Sequence, residues 1–535
     1  MSTRGRFPRP YRRAPDQDRA SPARHPVVIV GGGPVGLALA VDLGQHGVRC
    51  VVVDGKAEFG EGSRGLCYAK RTLEILDRLG VGERAVAKGV TWQRGKVFHR
   101  EGMLYDFDLL PEGGHKMPAF INLQQYYLEQ FLFERALELP SVDVRFQNRC
   151  VAVEVHPDHA RIELDTPDGR YAIEADWLIA CDGSRSTVRE LMGLSFEGRV
   201  FEDRFLIADV RMPADFPAER WFWFDPPFNP GQSALLHKQP DDIWRIDLQL
   251  GWDADPVEER KPERVRPRLE AMLGKDRPFE FEWISIYTFQ CRRLARFVHG
   301  PVIFAGDAAH LVSPFGARGF NSGVQDIDNL AWKLEAVVQG GAPAALLASY
   351  GTEREAAADE NLLNSTRSTD FITPKSDASR AIRDAALSLA GEAPFARPLV
   401  NSGRLSMPTV YDTPLSTPDS DEFGGIARLG GPLPDAPLTR ADGKATWLLD
   451  LLEPGWVLLH CGPDSPCALP PGVTCLRIGH DAHDRDGVFR QRYDARPGSS
   501  WLVRPDQHLA ARFRAVDAAA LAAATRRALG WEMPS

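Results

Sequence analysis

Cysteine is scarce in this sequence, with eight residues in a chain of 535. No two of them form a CxxC pair and none has a metal-like spacing with histidine, so redox or zinc chemistry by cysteine is not expected. Long apolar runs are also missing, since no stretch approaches the roughly 18 residues that cross a bilayer. The N-terminus lacks the apolar core of a signal peptide. These absences predict a cytoplasmic protein with no membrane partner and no metal site.

An excess of positive charge is absent as well. The 64 lysines and arginines face 73 aspartates and glutamates, which gives a formal net charge of -9. No overall basic field is therefore available to collect nucleic acid, and small molecules are the favoured partners. With 43% hydrophobic and 26% charged residues, the composition is that of a globular protein. At about 150 residues per domain, the length predicts three to four domains.

Residues 1–25 are rich in Arg, Pro and Ser and contain almost no large aliphatic side chains. Such a segment cannot bury enough surface to offset the entropy of ordering, so it is predicted to be a disordered basic tail. An apolar run at 26–30 comes next, followed by glycines, a helical pattern and a second apolar run that ends at Asp54. This order predicts a βαβ unit.

The glycines of this unit, Gly31, Gly33 and Gly36, fit GxGxxG between a strand and a helix, with Asp54 about 20 residues further on. Glycine permits close backbone approach to a pyrophosphate, the helix N-terminus supplies N–H donors, and the aspartate can accept ribose hydroxyls. The motif predicts a dinucleotide without saying which one. A second textual match at 60–65 follows no apolar strand and is interpreted as a flexible loop. With no second Rossmann unit, a nicotinamide would bind in a surface groove.

Two further apolar strands end in an aspartate beside a glycine. Residues 302–307 lead into the loop 314–319 and the start of a helix near Phe320. This arrangement suits a flavin, because the carboxylate of Asp307 can hold ribityl hydroxyls and a helix dipole favours negative charge on the reduced ring. The third strand ends in Asp182. The three elements are predicted to converge on one site.

The middle of the chain has a different pattern. Residues 91–110 alternate as a hairpin does, and residues 120–137 have helical periodicity. Between 196 and 294, several segments alternate apolar with polar residues, which is typical of half-buried antiparallel strands and predicts an inserted sheet. A long amphipathic helix follows the loop at 314–319 and is predicted to end near residue 338.

Together the GGGPVG turn, the CDGSRSTVR segment and the GDAAHLVSPFGARGFNSG segment resemble the flavin-dependent aromatic hydroxylases of the para-hydroxybenzoate hydroxylase type. The resemblance covers residues 26–375 and is closest to longer members such as the 3-(3-hydroxyphenyl)propionate hydroxylases. Residues 501–513 look like the usual end of the thioredoxin-like domain of those members. The resemblance implies an α/β fold with a Rossmann-like FAD-binding domain of the glutathione-reductase type, an inserted and mainly antiparallel substrate domain, and a C-terminal thioredoxin-like α/β domain.

The resemblance also implies how the chain is divided. The FAD-binding domain is discontinuous and takes 26–90, 115–195 and 295–375, the substrate domain takes 91–114 and 196–294, a connecting segment takes 376–425, and the thioredoxin-like domain takes 426–535. Because that last domain lacks a CxxC pair, packing or dimer contacts are expected of it rather than redox work. A homodimer is expected from the resemblance alone.

By the same resemblance, the glycine turn would hold the FAD pyrophosphate, Asp54 the adenosine ribose and Asp307 the ribityl chain, while Asp182 belongs to a motif linked to both FAD and NAD(P)H. The predicted cofactor-binding residues are Gly31, Gly33, Val35, Gly36, Asp54, Arg64, Gln125, Asp182, Asp307, Pro314, Gly316, Gly319, Phe320 and Asn321. The loop has GARGFN where many relatives have GQGMN. This departure puts the mobility of the flavin in doubt, but not the general role of the loop.

The implied reaction is hydroxylation of a phenolic or aromatic acid ring by O2, with FAD as cofactor and NADH or NADPH as co-substrate, through a hydroperoxide at flavin C4a. The protein must exclude water and help the phenol lose its proton, because phenolate is the better nucleophile toward an electrophilic oxygen. The inserted sheet should face this site, and its polar candidates are His237, Arg245, Tyr287 and Gln290. His237 and Tyr287 are taken as the catalytic candidates.

Two alternatives stay open. Residues 221–226, WFWFDP, partly match the WxWxIP signature of flavin halogenases, although Asp225 stands where isoleucine is usual. The same residues fit an aromatic strand that lines a pocket. The second alternative is an uncoupled FAD oxidase or reductase on the same fold. A halogenase would need halide and a separate flavin reductase, and an uncoupled enzyme would form almost no product per NAD(P)H consumed.

Overall fold

The computed structural model describes residues 10–58, 65–251, 253–401 and 405–532, without the side chain of Glu202. Up to residue 196 the elements are β1 (Ala23–Val30), α1 (Pro34–Gln45), β2 (Cys50–Asp54), β3 (Cys67–Ala69), α2 (Lys70–Arg78), α3 (Gly82–Lys88), β4 (Val90–Trp92), β5 (Arg94–His99), β6 (Gly102–Asp108), β7 (Phe120–Asn122), α4 (Gln125–Leu137), β8 (Val142–Phe146), β9 (Arg149–Val155), β10 (Ala160–Thr166), β11 (Gly169–Ala180) and α5 (Thr187–Leu191).

From residue 197 to 311 the elements are β12 (Glu197–Arg211), β13 (Arg220–Phe224), β14 (Ser233–Lys238), β15 (Ile243–Leu250), α6 (Pro256–Glu259), α7 (Pro262–Leu273), β16 (Glu280–Arg293), β17 (Val298–His299), β18 (Val302–Phe304) and β19 (His310–Leu311). The remaining elements are α8 (Gly319–Val338), α9 (Ala348–Ile372), α10 (Asp377–Glu392), β20 (Pro437–Arg440), β21 (Ala445–Trp447), β22 (Trp456–Cys461), β23 (Val473–Ile478), β24 (Ala482–His483), α11 (Val488–Tyr493), β25 (Ser500–Val503), β26 (Leu509–Phe513) and α12 (Ala518–Ala528).

The first sheet contains the predicted βαβ unit. Its strand order is β17-β18-β11-β1-β2-β8, and β10 and β9 extend it beside β11. Strands β18, β11, β1, β2 and β8 pair in parallel. Val27, Val28 and Ile29 of β1 are fully buried, as expected for a strand covered on both faces. Because these strands are parallel, their carboxyl ends meet at one edge of the sheet.

The second sheet confirms the predicted antiparallel insertion. Its order is β19-β16-β12-β15-β14-β13-β5-β6, and only β13 and β5 run parallel. Trp244 and Ile246 of β15 join Leu269 of α7 in one apolar core. The opposite face, here called the inner face, packs through Phe205 against Phe315 of the loop after β19, with ring centroids 5.1 Å apart. The inner face therefore lies against the loop that was predicted to hold a flavin.

A small sheet, ordered β3-β7-β4, connects these two regions. Asn122 of β7 donates a hydrogen bond to the Lys238 carbonyl of β14 (2.8 Å). Asn321, at the start of α8, donates to the Cys67 carbonyl of β3 (2.9 Å). The small sheet thus contacts both the second sheet and the predicted flavin loop.

The C-terminal unit is built on a third, mixed sheet of order β21-β20-β24-β23-β22-β25-β26. It packs on α8, where the rings of Trp332 and Trp456 lie 5.6 Å apart. The contact also contains buried ion pairs, since Glu353 of α9 accepts from Arg504 (2.9 Å) and from Lys333 (2.8 Å). Buried charges are tolerated only when they are paired, so these contacts hold the unit in one orientation.

The structure differs from the expected disordered tail over residues 10–25. Strand β1 already begins at Ala23, and a 3-10 turn at Pro15–Asp18 precedes it. Buried Asp16 forms an ion pair with Arg145 of β8 (2.6 Å). An ion pair between distant residues cannot be seen in the composition of the segment. Composition therefore did not predict that residues 10–25 are ordered. Residues 1–9 lie outside the described residues.

The segment 120–137 differs from a single helix. Phe120–Asn122 form β7, whose backbone pairs with β3 and β4, and the helix begins only at Gln125. Two neighbouring strands satisfy the backbone of β7 and override the helical periodicity of its side chains. In the part of the chain that the structure describes, no helix combines the length and the apolar character that a membrane span requires.

Candidate active site

The glycine turn after β1 leaves no room for a side chain at two of its positions. A Cβ atom on Gly31, whose φ is +115°, would lie 2.4 Å from the Cys181 carbonyl oxygen. A Cβ atom on Gly36 would lie 2.0 Å from the Gly31 carbonyl oxygen. Gly33 differs, because no atom lies within 4 Å of its Cβ position. The turn therefore folds tightly against β11 and leaves open space over Gly33, the N-cap of α1.

Asp54 closes β2 beside this turn. Its Oδ2 accepts the N–H of Gly32 (2.8 Å), and its Oδ1 accepts the N–H of Lys56 (2.8 Å). The residue is buried. A carboxylate has about four lone-pair sites, so Asp54 can hold the turn in shape and still accept a ribose hydroxyl.

Asp182 follows β11 at the same edge. Its Oδ2 accepts the N–H of Val188 in α5 (3.1 Å), whereas its Oδ1 is buried with no hydrogen-bond partner among the described residues. Burial raises the pKa of this carboxyl group. Because a buried polar atom without a partner carries a desolvation penalty, the Oδ1 atom indicates a place for a donor from a ligand.

Asp307 follows β18, and its side chain is exposed at this edge. Gly306 before it has a φ of +61°, and a Cβ atom there would lie 3.3 Å from the side chain of Val35 in α1. Since β18, β11 and β1 are neighbours, the three strand ends that the sequence singled out lie side by side. Val35 lies between Gly306 and Gly323 of α8.

Asp326 of α8 is a buried carboxylate that the sequence reasoning missed. Its Oδ2 accepts from the N–H of Gly306 (2.9 Å) and lies 2.7 Å from His310 Nε2, while its Oδ1 accepts from Arg354 Nε (2.7 Å). Burial opposes ionisation, but His310 and Arg354 outweigh burial and lower the pKa of Asp326 to about 2. Asp326 therefore holds the backbone just before Asp307. A charged residue on the buried side of a helical pattern is the only signal that could have pointed to it.

Asn321 ties the loop 314–319 to the small sheet. It is fully buried, its Oδ1 accepts the N–H of Ala69 (2.9 Å), and its Nδ2 donates to Cys67. The preceding Phe320 lies edge-on to Tyr68, with 5.0 Å between ring centroids. The Asn321 side chain therefore holds the loop in place, and any contact with a flavin would come from its backbone.

The loop itself contains two residues with positive φ, Gly316 at +95° and Ala317 at +53°. The carbonyl of Gly316 accepts the N–H of Ser406 (2.8 Å). Ala317 stands where the pattern GQGMN has its first glycine, and a Cβ atom is strained in this left-handed region. The departure from the pattern therefore costs backbone strain at Ala317. Pro314 opens this loop and Gly319 begins α8.

Gln125 begins α4, and its Oε1 accepts the N–H of Gly65 (2.9 Å). A Cβ atom on Gly65 would lie 3.6 Å from Cβ of Phe320, so Gln125 lies next to the loop. The structure thus places Gln125 beside the loop, and Asp326 of α8 links the helix after the loop to Gly306 at the edge of the first sheet. Arg64 lies outside the described residues, as does most of the rejected glycine string at 60–65.

The inner face of the second sheet carries a row of polar side chains across four strands. Asp209 of β12 lies opposite Arg245 of β15, and Arg245 lies opposite His237 of β14. The pairing of β14 with β13 places Arg220 next in the row. Arg245 donates to both oxygens of Asp209 (2.8 and 2.9 Å). All four residues are buried, which is unfavourable in a purely structural core and indicates a binding site.

His237 is the member of this row with an unpaired atom. It is 4% exposed, and its ring centroid lies 6.3 Å from that of Trp92 in the small sheet. Its Nδ1 is buried with no hydrogen-bond partner among the described residues. Burial, Arg220 and Arg245 keep the pKa of His237 well below its ordinary value, so the imidazole is neutral. A neutral ring nitrogen can accept a hydrogen bond from a hydroxyl group.

Tyr287 does not lie close to His237. Their strands β16 and β14 are three positions apart in the sheet, which is about 14 Å at one strand spacing each. Tyr287 is 43% exposed, and its ring lies 5.8 Å from that of Phe289. The Phe289 ring in turn lies 5.1 Å from that of Phe315. Tyr287 therefore lies at the open end of the inner face, near the loop.

A dinucleotide-type turn, three aspartates at one edge of a parallel sheet and an added antiparallel sheet are typical of a flavoprotein of the α/β class. Residues 24–365 match the FAD binding domain family FAD_binding_3, and the chain belongs to this family. The chain is 31% identical over 504 residues to the 12-dehydrotetracycline 5-monooxygenase/anhydrotetracycline 6-monooxygenase of Streptomyces rimosus, covering 91% of this chain and 95% of that one.

Another curated relative is the 3-(3-hydroxy-phenyl)propionate/3-hydroxycinnamic acid hydroxylase of Mycobacterium sp. (strain KMS), 28% identical over 522 residues, or 90% of this chain and 87% of that one. The fold is similar to the crystal structure of the flavin-dependent monooxygenase PieE in complex with FAD and substrate, with a TM-score of 0.80 and 23% identity over 95% of this chain and 100% of that one. The predicted relationship to flavin-dependent aromatic hydroxylases is confirmed.

Proposed function

We propose that this protein uses FAD, NADH or NADPH, and O2 to hydroxylate a phenolic or aromatic acid ring. The observation that carries the proposal is the unpaired Nδ1 of His237 on the inner face. His237 lies beside the small sheet, and Asn321 connects that sheet to the loop 314–319. A phenol bound there would donate to His237 while its ring faced the loop. This position would bring the ring carbon near the reactive edge of a flavin.

The residues at the carboxyl edge of the first sheet fit FAD. The open space over Gly33, at the N-terminus of α1, suits a pyrophosphate, because helix N–H groups and the helix dipole favour an anion. Asp54 would bind the adenosine ribose, Asp182 Oδ1 would gain the donor it lacks, and Asp307 would bind the ribityl chain. When bound, FAD would accept reducing equivalents from NAD(P)H and activate O2 for transfer of one oxygen atom to the ring.

The row of polar side chains on the inner face would favour loss of the phenol proton. Arg220 and Arg245 place positive charge beside His237, which lowers the pKa of a phenol bound there and keeps the imidazole neutral as an acceptor. Tyr287 lies too far along the sheet to act on the same hydroxyl. It would contact a distal part of a larger substrate at the open end of the site.

Aromatic side chains between the inner face and the loop would keep water out. The rings of Phe205, Phe289 and Phe315 pack with centroids 4.9 to 5.1 Å apart. A dry contact here favours oxygen transfer to the ring over release of peroxide.

We also infer that the C-terminal unit is thioredoxin-like. The order β23-β22-β25-β26, with α12 after the last strand, supports this inference, whereas a homodimer stays an expectation from the family resemblance. The connection 462–472 between β22 and β23 contains no helix, which departs from the usual pattern. With no CxxC pair in this unit, its packing on α8 supports a structural role.

Oxygen transfer is tested by stoichiometry. With a phenol that accelerates NAD(P)H oxidation by the FAD-loaded protein, we expect close to one hydroxylated product per NAD(P)H, because the aromatic contact shields the reaction from water. Product is quantified by chromatography and peroxide by a coupled peroxidase assay. Peroxide formation without product would favour the uncoupled oxidase. Ring chlorination or bromination that requires halide and a separate reductase would favour the halogenase.

The role of His237 is tested by substitution. His237→Ala removes the acceptor, and we expect kcat/KM for the phenol to fall by about 10- to 100-fold, the range of one positioned proton acceptor or less. His237→Asn retains an acceptor atom and should recover part of this loss. His480→Ala, an exposed histidine of the C-terminal unit, is the matched control. The activity should also shift to higher pH in His237→Ala, since the bound phenol then ionises less readily; an unchanged pH profile and rate would exclude this role.

A further inference from the structure

Asp247 of β15 lies on the inner face, two residues from Arg245, and is half-buried. Its own row across the sheet is otherwise apolar at the neighbouring strands, with Ile207 on one side and Leu235 on the other. Its Oδ1 is buried without a hydrogen-bond partner, and no side chain among the described residues forms an ion pair with its carboxyl group. Asp247 is thus a lone carboxyl group in an apolar row.

No described side chain of the second sheet forms a hydrogen bond with Oδ1 of this carboxyl group. Arg245, its closest charged neighbour along the strand, already binds both oxygens of Asp209. Burial raises the pKa of Asp247 to about 6 despite the attraction of Arg245 and Arg220. An apolar residue at this position would avoid that penalty. Arg245 and Arg220 attract the carboxyl group, but its Oδ1 still lacks the hydrogen-bond donor that a ligand could supply.

Asp247 and His237 belong to the same surface. Because His237 lies opposite Arg245 and Leu235 lies opposite Asp247, the two residues are diagonal neighbours on adjacent strands. Diagonal neighbours on one face are close enough for a single small group to bridge them. Asn321 connects this region to the loop through the carbonyl of Cys67. Two buried polar atoms without a hydrogen-bond partner among the described residues, Nδ1 of His237 and Oδ1 of Asp247, thus lie on the same face of adjacent strands.

We infer that Asp247 is a specificity-determining residue and that the substrate ring carries two hydroxyl groups along one edge, one bound by His237 and the other by Asp247. This inference rests on the proposed function. A ring with a single hydroxyl group would leave one buried acceptor unpaired. A phenolic acid would bring a second carboxylate against Asp247, which like charges oppose. The site therefore selects dihydroxylated aromatic rings over monophenols and over phenolic acids.

The test compares three probes that differ at one ring position: resorcinol, 3-methoxyphenol and 3-hydroxybenzoate. Their affinities for the FAD-loaded protein are measured by calorimetry, without turnover. We expect the wild type to bind resorcinol at least tenfold more tightly than either of the other two. In Asp247→Asn the amide can donate to the methoxy oxygen, so the ratio of resorcinol to 3-methoxyphenol affinity should fall by about tenfold. Asp106→Asn, an exposed aspartate of β6 in the same sheet, should leave the ratio unchanged.

Folding of the variant is monitored by near-ultraviolet circular dichroism and thermal unfolding. Asp247→Asn should be at least as stable as the wild type, since it removes an unpaired buried charge. Equal wild-type affinity for resorcinol and 3-methoxyphenol, tighter binding of 3-hydroxybenzoate, or an unchanged ratio in Asp247→Asn would each overturn the inference. If another phenol is hydroxylated in those cases, the proposed function still holds. If no phenol binds or accelerates NAD(P)H oxidation, the proposed function fails and the inference fails with it.

Discussion

The Gly33→Ala variant is expected to keep its fold and to bind FAD about 100-fold more weakly. No atom lies within 4 Å of the Cβ position of Gly33, so the added methyl group meets nothing in the protein itself. The φ of Gly33 is -80°, which any residue adopts, and the loss of glycine as N-cap costs less than about 1 kcal/mol. The methyl group would instead occupy the space into which a pyrophosphate approaches. A clash of this kind weakens binding by about 1–3 kcal/mol.

Titration of the apoprotein with FAD, followed by flavin fluorescence, measures this change. Gly251→Ala is the matched control, because its Cβ position is also open and it follows β15 in the second sheet. Gly36→Ala is the opposite case, since its Cβ would lie 2.0 Å from a backbone oxygen and should disturb the turn together with FAD binding. Unchanged FAD affinity in Gly33→Ala would show that the pyrophosphate lies elsewhere.

The parts of the fold that sequence patterns predict are those that short segments determine. The strand, glycine turn and helix at 26–45 follow from residues that are adjacent in the chain, and steric exclusion at Gly31 and Gly36 leaves few other paths. The ends of β11 and β18 were recognised in the same way, as apolar runs that stop at Asp182 and before Asp307. Because parallel strands share a direction, their convergence on one edge follows from the elements themselves.

The substrate side depends on strand register, which a single sequence does not reveal. His237 and Tyr287 both lie in alternating strands and were equally good candidates from the pattern. Only the pairing of β14, β15, β12 and β16 shows that they are three strands apart. The same pairing places Asp247 diagonal to His237, which made it visible as an unpaired acceptor.

Asn321 illustrates the same limit at the cofactor side. The resemblance implied that Asn321 lines the flavin, but its partner Ala69 lies 252 positions earlier in the chain. A contact over that distance arises from the packing of the small sheet against α8 and not from any local preference. The sequence thus indicated where the loop is, and the structure shows what holds it.

The Asp326→Asn variant is expected to lose about 3 kcal/mol of unfolding free energy at pH 7, in the range for breaking a buried ion pair. The carboxylate lies between His310 and Arg354 and also accepts the N–H of Gly306. An amide cannot balance the buried charge of Arg354, and it has one acceptor oxygen for three donors. Urea unfolding measures the loss, and Asp106→Asn, an exposed aspartate, serves as the control.

The pH dependence of the unfolding free energy distinguishes two effects of Asp326→Asn: the loss of the carboxylate charge and the change in side-chain shape. Because the folded protein holds the pKa of Asp326 at about 2, below the usual carboxyl value, this group stabilises the fold above about pH 4 and stops doing so as the pH falls toward 2. The difference between wild type and Asp326→Asn should therefore be constant near neutrality and shrink below pH 4. A difference that persists unchanged to pH 2 would mean that shape rather than charge is responsible. Because Gly306 precedes Asp307, a charge-dependent loss should be accompanied by weaker FAD binding, which would link this buried cluster to the ribityl end of the site.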